Sequence, residues 1–338
     1  MSTILSNRVQ KVKPSATMAV SDKAKELKSQ GIQIISMGSG EPDFDTPTNI
    51  QKAAIHAIGA GETRYTPADG TAELKKAVCE KFKRENGLDY SANEVMVSCG
   101  GKQVFYNLCQ AILNEGDEVI IPSPYWVSYP DMAILADATP IFIDAGLDQD
   151  FKISPEQLEA SITSKSKLLV LNSPSNPTGS VYSRSEIEAL GVVLERHPNV
   201  FIISDDIYEH IRWGDDEFVN IAMACPKLKD RTVILNGVSK AYAMTGWRIG
   251  YAAGPRAVIK AMKKIQGQST SNPSSISQAA ALEAISGDQS FIKMMVEAFE
   301  RRHEFLVESL NAIDGIECPR SGGAFYSFPR VQGLIDRI

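Results

Sequence analysis

A chain of 338 residues, 43% apolar and 22% charged, is longer than one average domain and has the balance of an ordinary soluble globular protein. Its net charge of −6 and pI of about 5.4 exclude nucleic acid and an anionic membrane surface as main partners, since both would repel it overall. Five scattered cysteines (Cys79, Cys99, Cys109, Cys225 and Cys318) without a CxxC pair exclude a disulfide framework and a zinc site, and point to reduced thiols in the cytoplasm.

The amino terminus, MSTILSNRVQKVKPSAT, has no long apolar core and does not read as a secretory signal. Residues 1–45 read as an arm, a helix over about 20–30, a short strand over 32–37 and the Gly-rich turn GSGEPDFDTP. Strands are then expected at 94–98, 118–121, 140–144, 167–172, 200–205, 232–236 and 248–252. They are short, rich in Val, Ile and Leu, and apolar on both faces, as strands buried between helix layers are. Helices are expected between them at about 71–86, 101–114, 126–136, 183–196 and 255–266. This alternation implies an α/β fold with a mainly parallel sheet covered on both sides. From about residue 290 a long charged helix, FIKMMVEAFERRHEFLVESLNAI, leaves the pattern. The expected division is an arm and part of a small domain over 1–45, a large domain over 46–290 and the start of a carboxyl-terminal small domain over 291–338. Nowhere does an apolar run reach the roughly 18 residues of a membrane helix. His56, His197, His210 and His303 stand in no HxxxH or HExxH pattern, so no metal is expected.

In open α/β sheets, ligands bind beyond the carboxyl ends of the strands. The chemically unusual residues fall there: Gly100, Gly101 and Lys102 after one strand, Trp126 after the next, Asn172 at the end of another, Asp205 closing the fifth and Lys240 after the sixth. A lysine amine can form an imine with an aldehyde and later move a proton, provided burial keeps it partly neutral. A carboxylate at the end of an apolar strand, as at Asp205, is costly unless paired. Ser204, Asp205 and Asp206 are also good helix-capping residues, and a cap is the expected role of Asp206. Gly100-Gly101 before a helix offers backbone amides to a phosphate.

Three segments in this order, NSPSNPTG (172–179), SDDIY (204–208) and NGVSKAYAMTGWRIGY (236–251), resemble the motifs of class I, fold type I aminotransferases that depend on pyridoxal phosphate. KPSAT (13–17), GEPDFDTP (40–47), GGKQ (100–103) and SPYWVSYP (123–130) are similar to those of a bacterial aspartate aminotransferase subgroup, and the likeness runs over nearly the whole chain. The resemblance implies the PLP-dependent transferase fold, with a large domain and a smaller α/β domain built from both termini. It implies pyridoxal 5′-phosphate bound through Lys240, with Asp205 on its ring nitrogen, Tyr208 and Asn176 on its 3′ oxygen and Trp126 stacked on its ring. It puts Gly100, Gly101, Lys102 and Arg248 around the phosphate, together with Tyr65 from a neighbouring subunit, hence a homodimer with shared active sites. Gly237 stands where many members have a phosphate-binding serine.

For the substrate, the resemblance implies contacts from Gly40, Trp126 and Asn176, and a distal carboxylate held by Lys102 with Thr17. The activity implied is ping-pong transfer of the amino group of L-aspartate to 2-oxoglutarate; prephenate, which also carries a second carboxylate, is the alternative. An arginine that grips the α-carboxylate is expected beyond the GAFYSF segment (323–328). Neither Arg330 nor Arg337 stands in that context, so the carboxyl-terminal part is expected to be incomplete, which leaves cofactor binding without transfer as a further alternative.

Overall fold

The computed structural model of the protein describes residues 4–14, 16–38, 40–214 and 217–337, the side chains of residues 16–18 excepted. Thr17 therefore falls outside the described side chains. In chain order the helices are α1 (Asn7–Lys11), α2 (Ala16–Ser29), α3 (Thr48–Gly59), α4 (Ala72–Asn86), α5 (Gly101–Ile112), α6 (Ser128–Leu135), α7 (Pro155–Ser161), α8 (Arg184–Arg196), α9 (Ile221–Ala224), α10 (Arg256–Gly267), α11 (Ser275–Ser286), α12 (Ser290–Asn311) and α13 (Gln332–Ile335). The strands are β1 (Val95–Ser98), β2 (Glu118–Ser123), β3 (Thr139–Asp144), β4 (Ser166–Asn172), β5 (Phe201–Asp205), β6 (Thr232–Gly237) and β7 (Gly250–Ala253).

The seven strands form one sheet in the order β1-β7-β6-β5-β4-β2-β3. The pairs from β6 through β5, β4 and β2 to β3 are parallel, while β7 runs antiparallel to both its neighbours. The link from β6 to β7 contains only the short turn Thr245–Trp247 and no crossover helix, so the chain returns in the opposite direction. Alternation of side chains sends Val95 and Val97 into one cluster with α3, α4 and α11, and Met96 into another with α5, α6 and α10. Leu169 and Leu171 likewise face α7 and α8, while Leu168 and Val170 face α5 and α6. Each fully buried Val, Leu or Ile contributes about 1.5–3 kcal/mol, so a strand apolar on both faces is stable only between two helix layers.

Helix ends follow local chemistry. Thr71 caps α4 by accepting from Leu74 N–H at 3.3 Å, and Gly87 stops it in the left-handed conformation at φ 65°. Its buried positions, Leu74, Ala77, Val78, Lys81 and Phe82, follow the helical period. Ser183 with Glu186, and Ser154 with Gln157, form capping boxes on α8 and α7.

Three expectations are corrected. Residues 32–37 form no strand: they lie outside the sheet with Ile35 90% exposed, because an extended segment without a partner has no ladder to join. The strand expected from residue 248 begins at Gly250, since Arg248 is left-handed at φ 56° and interrupts the pleat. Helices α3, α7 and α11 were not expected. In α11, SISQAAALEAIS, buried alanines leave little polar–apolar contrast to read.

Candidate active site

A cleft of about 530 Å³ opens at the carboxyl ends of the parallel strands. Its floor is set by the strand register. Asn172 pairs with Asp205, and Asp205 with Leu235, so the ends of β4, β5 and β6 lie side by side. Asp205 accepts from Tyr129 O–H at 2.6 Å and from Ile207 N–H at 3.2 Å. Burial pushes its carboxyl up to about 6, against the pull of those donors and of Lys240. Asn172 ties the loops together by donating to the Asp205 carbonyl at 2.9 Å and accepting from Asn176 N–H at 2.8 Å.

Lys240 follows β6 and donates to the Gly40 carbonyl. Burial brings its amine down to about 8; Arg248 adds to that, while Glu41 and Asp205 oppose it. A fraction of the amine is then neutral in mildly basic solution, as a nucleophile requires. Its Nζ lies 5.9 Å from the Tyr208 ring and 5.8 Å from the Phe325 ring.

One wall is a cradle for an anion. Gly100, at φ 90°, leads into α5, and a Cβ there would lie 2.2 Å from Arg248 Nη2; only glycine lets the guanidinium lie against this backbone. Arg248 is held by the Thr245 carbonyl at 2.9 Å and the Cys99 carbonyl at 3.3 Å. Gly101 N–H stands at the amino terminus of α5 beside it, so backbone amides and a fixed cation converge. The departure at Gly237 has a steric cause: a Cβ there would lie 2.9 Å from Gly250 Cα and from the Ile249 carbonyl.

Trp126 lines the cleft edge-on to Tyr129, with ring centroids 5.2 Å apart. Lys102 Nζ sits 5.2 Å from the Trp126 ring. Burial, and then Arg248, lower its pKa, and among the described residues no carboxylate pairs with it. Tyr208, Asn176 and Tyr326 converge: the two tyrosine hydroxyls are 2.6 Å apart and Asn176 Nδ2 donates to Tyr326 at 3.1 Å.

The structure thus gathers Gly40, Gly101, Lys102, Trp126, Asn176, Asp205, Tyr208, Lys240 and Arg248 around one cleft, with Gly100 beneath Arg248. Tyr65 is 92% exposed and does not line this chain's cleft. Arg330 pairs with Glu317 at 3.4 Å and Arg337 with Asp314 at 2.7 Å, so neither serves the site. Ser21, Lys25, Glu41, Tyr129 and Ser239 also line the cleft, and Tyr326 joins it through its hydroxyl. Tyr129 and Tyr326 stand inside the SPYWVSYP and GAFYSF segments, but no spacing rule marks either as facing the site.

Behind the floor lies a buried polar network. Lys81 pairs with Glu209, which also accepts from Asn86 at 2.9 Å and Asn236 at 2.7 Å. Glu85, Glu209 and His210 offer ligand atoms within 4.8 Å of one another, but the Lys81 ammonium already supplies their cation. Asp206 is no helix cap, since only a turn follows it; it is buried, and accepts from Ser204 and Asn220, each at 2.6 Å. Burial, and then Glu209, push its carboxyl well above the ordinary range. Such a group keeps its proton in the fold after the unfolded chain has lost it. Stability therefore falls as pH rises from about 4 through the folded pKa, by roughly 1.4 kcal/mol for each tenfold difference in acidity between the two states. Asp206→Asn, which keeps an acceptor for Asn220 and can donate its amide to the Ser204 oxygen once that hydroxyl turns, is expected to gain stability over the parent from pH 5 to pH 8. Urea midpoints at the two pH values check this; an equal difference at both would contradict it.

The family model described as aminotransferase class I and II matches residues 32–335. The aspartate/prephenate aminotransferase of Nitrosomonas europaea is 58% identical over 99% of this chain and 84% of its own length. That of Cereibacter sphaeroides is 57% identical over 98% and 83%. Among solved structures, the aspartate aminotransferase of Rhizobium meliloti superposes with a TM-score of 0.95 at 48% identity, over 98% of this chain and 83% of that one. The Thermus thermophilus aspartate aminotransferase with maleate gives 0.93 at 45% identity, over 97% and 85%.

Proposed function

This chain is a member of the class I and II aminotransferases, enzymes that use pyridoxal 5′-phosphate, and from that premise we propose that it transfers the amino group of L-aspartate to 2-oxoglutarate. The observation that carries the substrate is Lys102, an ammonium lining the cleft beside Trp126 with no carboxylate partner among the described residues. A cation so placed favours a substrate with a second carboxylate, since a charge-assisted bond offsets the cost of burying both charges. The relatives named aspartate/prephenate aminotransferase support prephenate, a second dicarboxylate, as an alternative amino acceptor.

The residues present fit the cofactor. Arg248, with the amide of Gly101, would hold the phosphate, while the Gly100 N–H donates to the Ser98 carbonyl at 2.8 Å and Gly100 serves by its missing Cβ; Trp126 would cover the ring, and Asn176 with Tyr208 would hold its 3′ oxygen. When bound, the cofactor supplies the aldehyde that receives the amine and the ring that takes up the electron pair left at Cα. Asp205 would hold a proton on the ring nitrogen. Lys240 would anchor the cofactor, then carry the proton from the substrate Cα and return it on the other side of the exchange. The amino acid and the oxo acid would react in turn at the same cleft.

The exposed Tyr65, together with exposed Ile55 and Ile58 on α3, supports a homodimer in which Tyr65 serves the second copy's cleft. We assign 46–290 to a large domain and the two ends of the chain to a smaller one. No helix among the described residues is long and apolar enough to cross a membrane, and all five cysteines are free, which supports a cytoplasmic protein.

The test is a half-reaction. The chain loaded with pyridoxal 5′-phosphate is mixed with L-aspartate, and both the cofactor's visible spectrum and oxaloacetate are followed. Conversion to the aminated cofactor with stoichiometric oxaloacetate is expected. Lys102→Met should raise KM for aspartate about 10- to 100-fold, the worth of one charge-assisted bond, and leave alanine unchanged. A cofactor spectrum unaltered by aspartate would reject the activity; equal effects on aspartate and alanine would reject the role of Lys102.

A further inference from the structure

Two donors reach the Asp205 carboxylate from different elements. Ile207 N–H comes from the turn that follows β5 and meets Oδ1 at 3.2 Å. Tyr129 O–H comes from α6 and meets Oδ2 at 2.6 Å, the shorter of the two contacts and the one with no backbone constraint to explain it.

Tyr129 is only 2% exposed. Its ring is wedged between Phe105, centroids 4.9 Å apart, and the edge of Trp126, at 5.2 Å. A phenol so enclosed has no water to donate to, and burial keeps it protonated far beyond the ordinary range. Its proton therefore goes to Asp205. The carboxylate, for its part, is drawn toward the neutral form by burial, and a donor opposes that drift by bonding the charged form. The other groups that face it are the Lys240 ammonium from the turn after β6 and the hydroxyls of Tyr208 and Tyr326; Arg248 acts on Lys240 from beyond.

From this geometry we propose that Tyr129 is a positioning residue for the cofactor's ring nitrogen: its hydroxyl holds the Asp205 carboxylate ionised and fixes its rotation, leaving a second lone pair of the carboxylate to meet a proton-bearing nitrogen above the floor. The inference rests on the reading of Asp205 as the nitrogen's partner. The division of labour has a physical logic. A carboxylate as buried as Asp205, left without a donor, would take up a proton and swing between rotamers. The short bond from α6 removes both freedoms before the ligand arrives. Tyr129 touches no reacting atom and acts only through Asp205.

The experiment is equilibrium binding of two ligands: pyridoxal 5′-phosphate, and the analogue in which carbon replaces the ring nitrogen. The proteins are the full chain, Tyr129→Phe, Asp205→Asn and the double variant, between about pH 6 and about pH 9. Tyr129→Phe keeps the ring contacts and removes only the donor, so the Asp205 carboxyl should rise further. Near pH 6 the variant should bind pyridoxal 5′-phosphate about fivefold more weakly, since a carboxyl at about 6 is half ionised there and a tenfold weaker acid about one-tenth ionised. The loss should vanish near pH 9, where both proteins hold an ionised carboxylate. The analogue should bind both proteins alike, and in the Asp205→Asn background Tyr129→Phe should cost nothing more. The ratio of the two affinities within one protein cancels any general loosening of the fold. A loss equal for both ligands, a loss independent of pH, or a loss that persists in the Asp205→Asn background would overturn the proposal. If the unaltered chain binds the two ligands alike and Asp205→Asn changes neither affinity, the reading of Asp205 itself falls, and the role of Tyr129 with it.

Discussion

Lys240→Ala is expected to lower kcat at least about 10⁴-fold while pyridoxal 5′-phosphate still enters the cleft. Loss of a positioned general acid–base alone costs about 10²–10⁴-fold, and the same amine is the proposed covalent anchor, so one substitution would remove two functions. The surroundings explain why this lysine and no other can serve. Its amine is buried at the cleft floor beside Tyr208 and Phe325 and brought down to about 8, so it can lose a proton without leaving its place. Lys102, another lysine of the cleft, is exposed and lies against Trp126. The check is twofold: kcat, and the visible spectrum of added cofactor, which should remain that of the free aldehyde. A variant retaining more than a tenth of the parent's turnover would mean that another group moves the proton.

Glu209→Ala is expected to destabilise the fold by about 3–5 kcal/mol, the cost of leaving a buried ion without its partner. Lys81 is fully enclosed, and its remaining acid, Glu85, stands farther off at 3.5 Å. Burial alone would push the Glu209 carboxyl up; Lys81, and then His210, hold it below the ordinary value. The same carboxylate accepts from Asn236 on β6 and Asn86 on α4. It thus pins the turn that carries Tyr208 to the strand that leads to Lys240. Glu209→Gln, which keeps the shape and one acceptor, should cost less than the alanine variant. Urea unfolding with an unchanged m-value gives the comparison, and a loss below about 1 kcal/mol for Glu209→Ala would show that the pair carries little.

Much of this was legible in the chain because the informative signals are local. The strands from β1 to β6 stood out as short apolar runs, and the helices expected in the alternating region begin within two residues of their expected positions. Gly100, Gly101, Lys102, Asp205 and Lys240 could be placed at one sheet edge because each follows a strand, and parallel strands end on the same side. The likeness to known motifs named Trp126, Asn176, Tyr208 and Arg248, which the strand pattern alone would leave as core or turn residues. The misses have equally specific causes. Residues 32–37 alternate like a strand but find no ladder. The α11 segment is buried too evenly to show an amphipathic stripe. Asp206 sits in capping chemistry, yet the chain turns where a helix would have to begin.

The order of the residues by itself determined which segments form the sheet, which ends of it carry the chemically unusual residues and which lysine is proposed as the amine, because those signals depend on neighbours within a few positions. Tertiary structure alone decided the states of the site's groups. Asp205 is held by a phenol from α6, the Lys81 ammonium pairs with Glu209 and leaves Asp206 to neutral donors, and Tyr326, from near the far end of the chain, closes on Tyr208 and Asn176. Each of these states is set by a contact between distant segments or by burial, and burial is a property of the packed molecule: a carboxylate or an amine takes its charge from the surroundings that distant segments build around it.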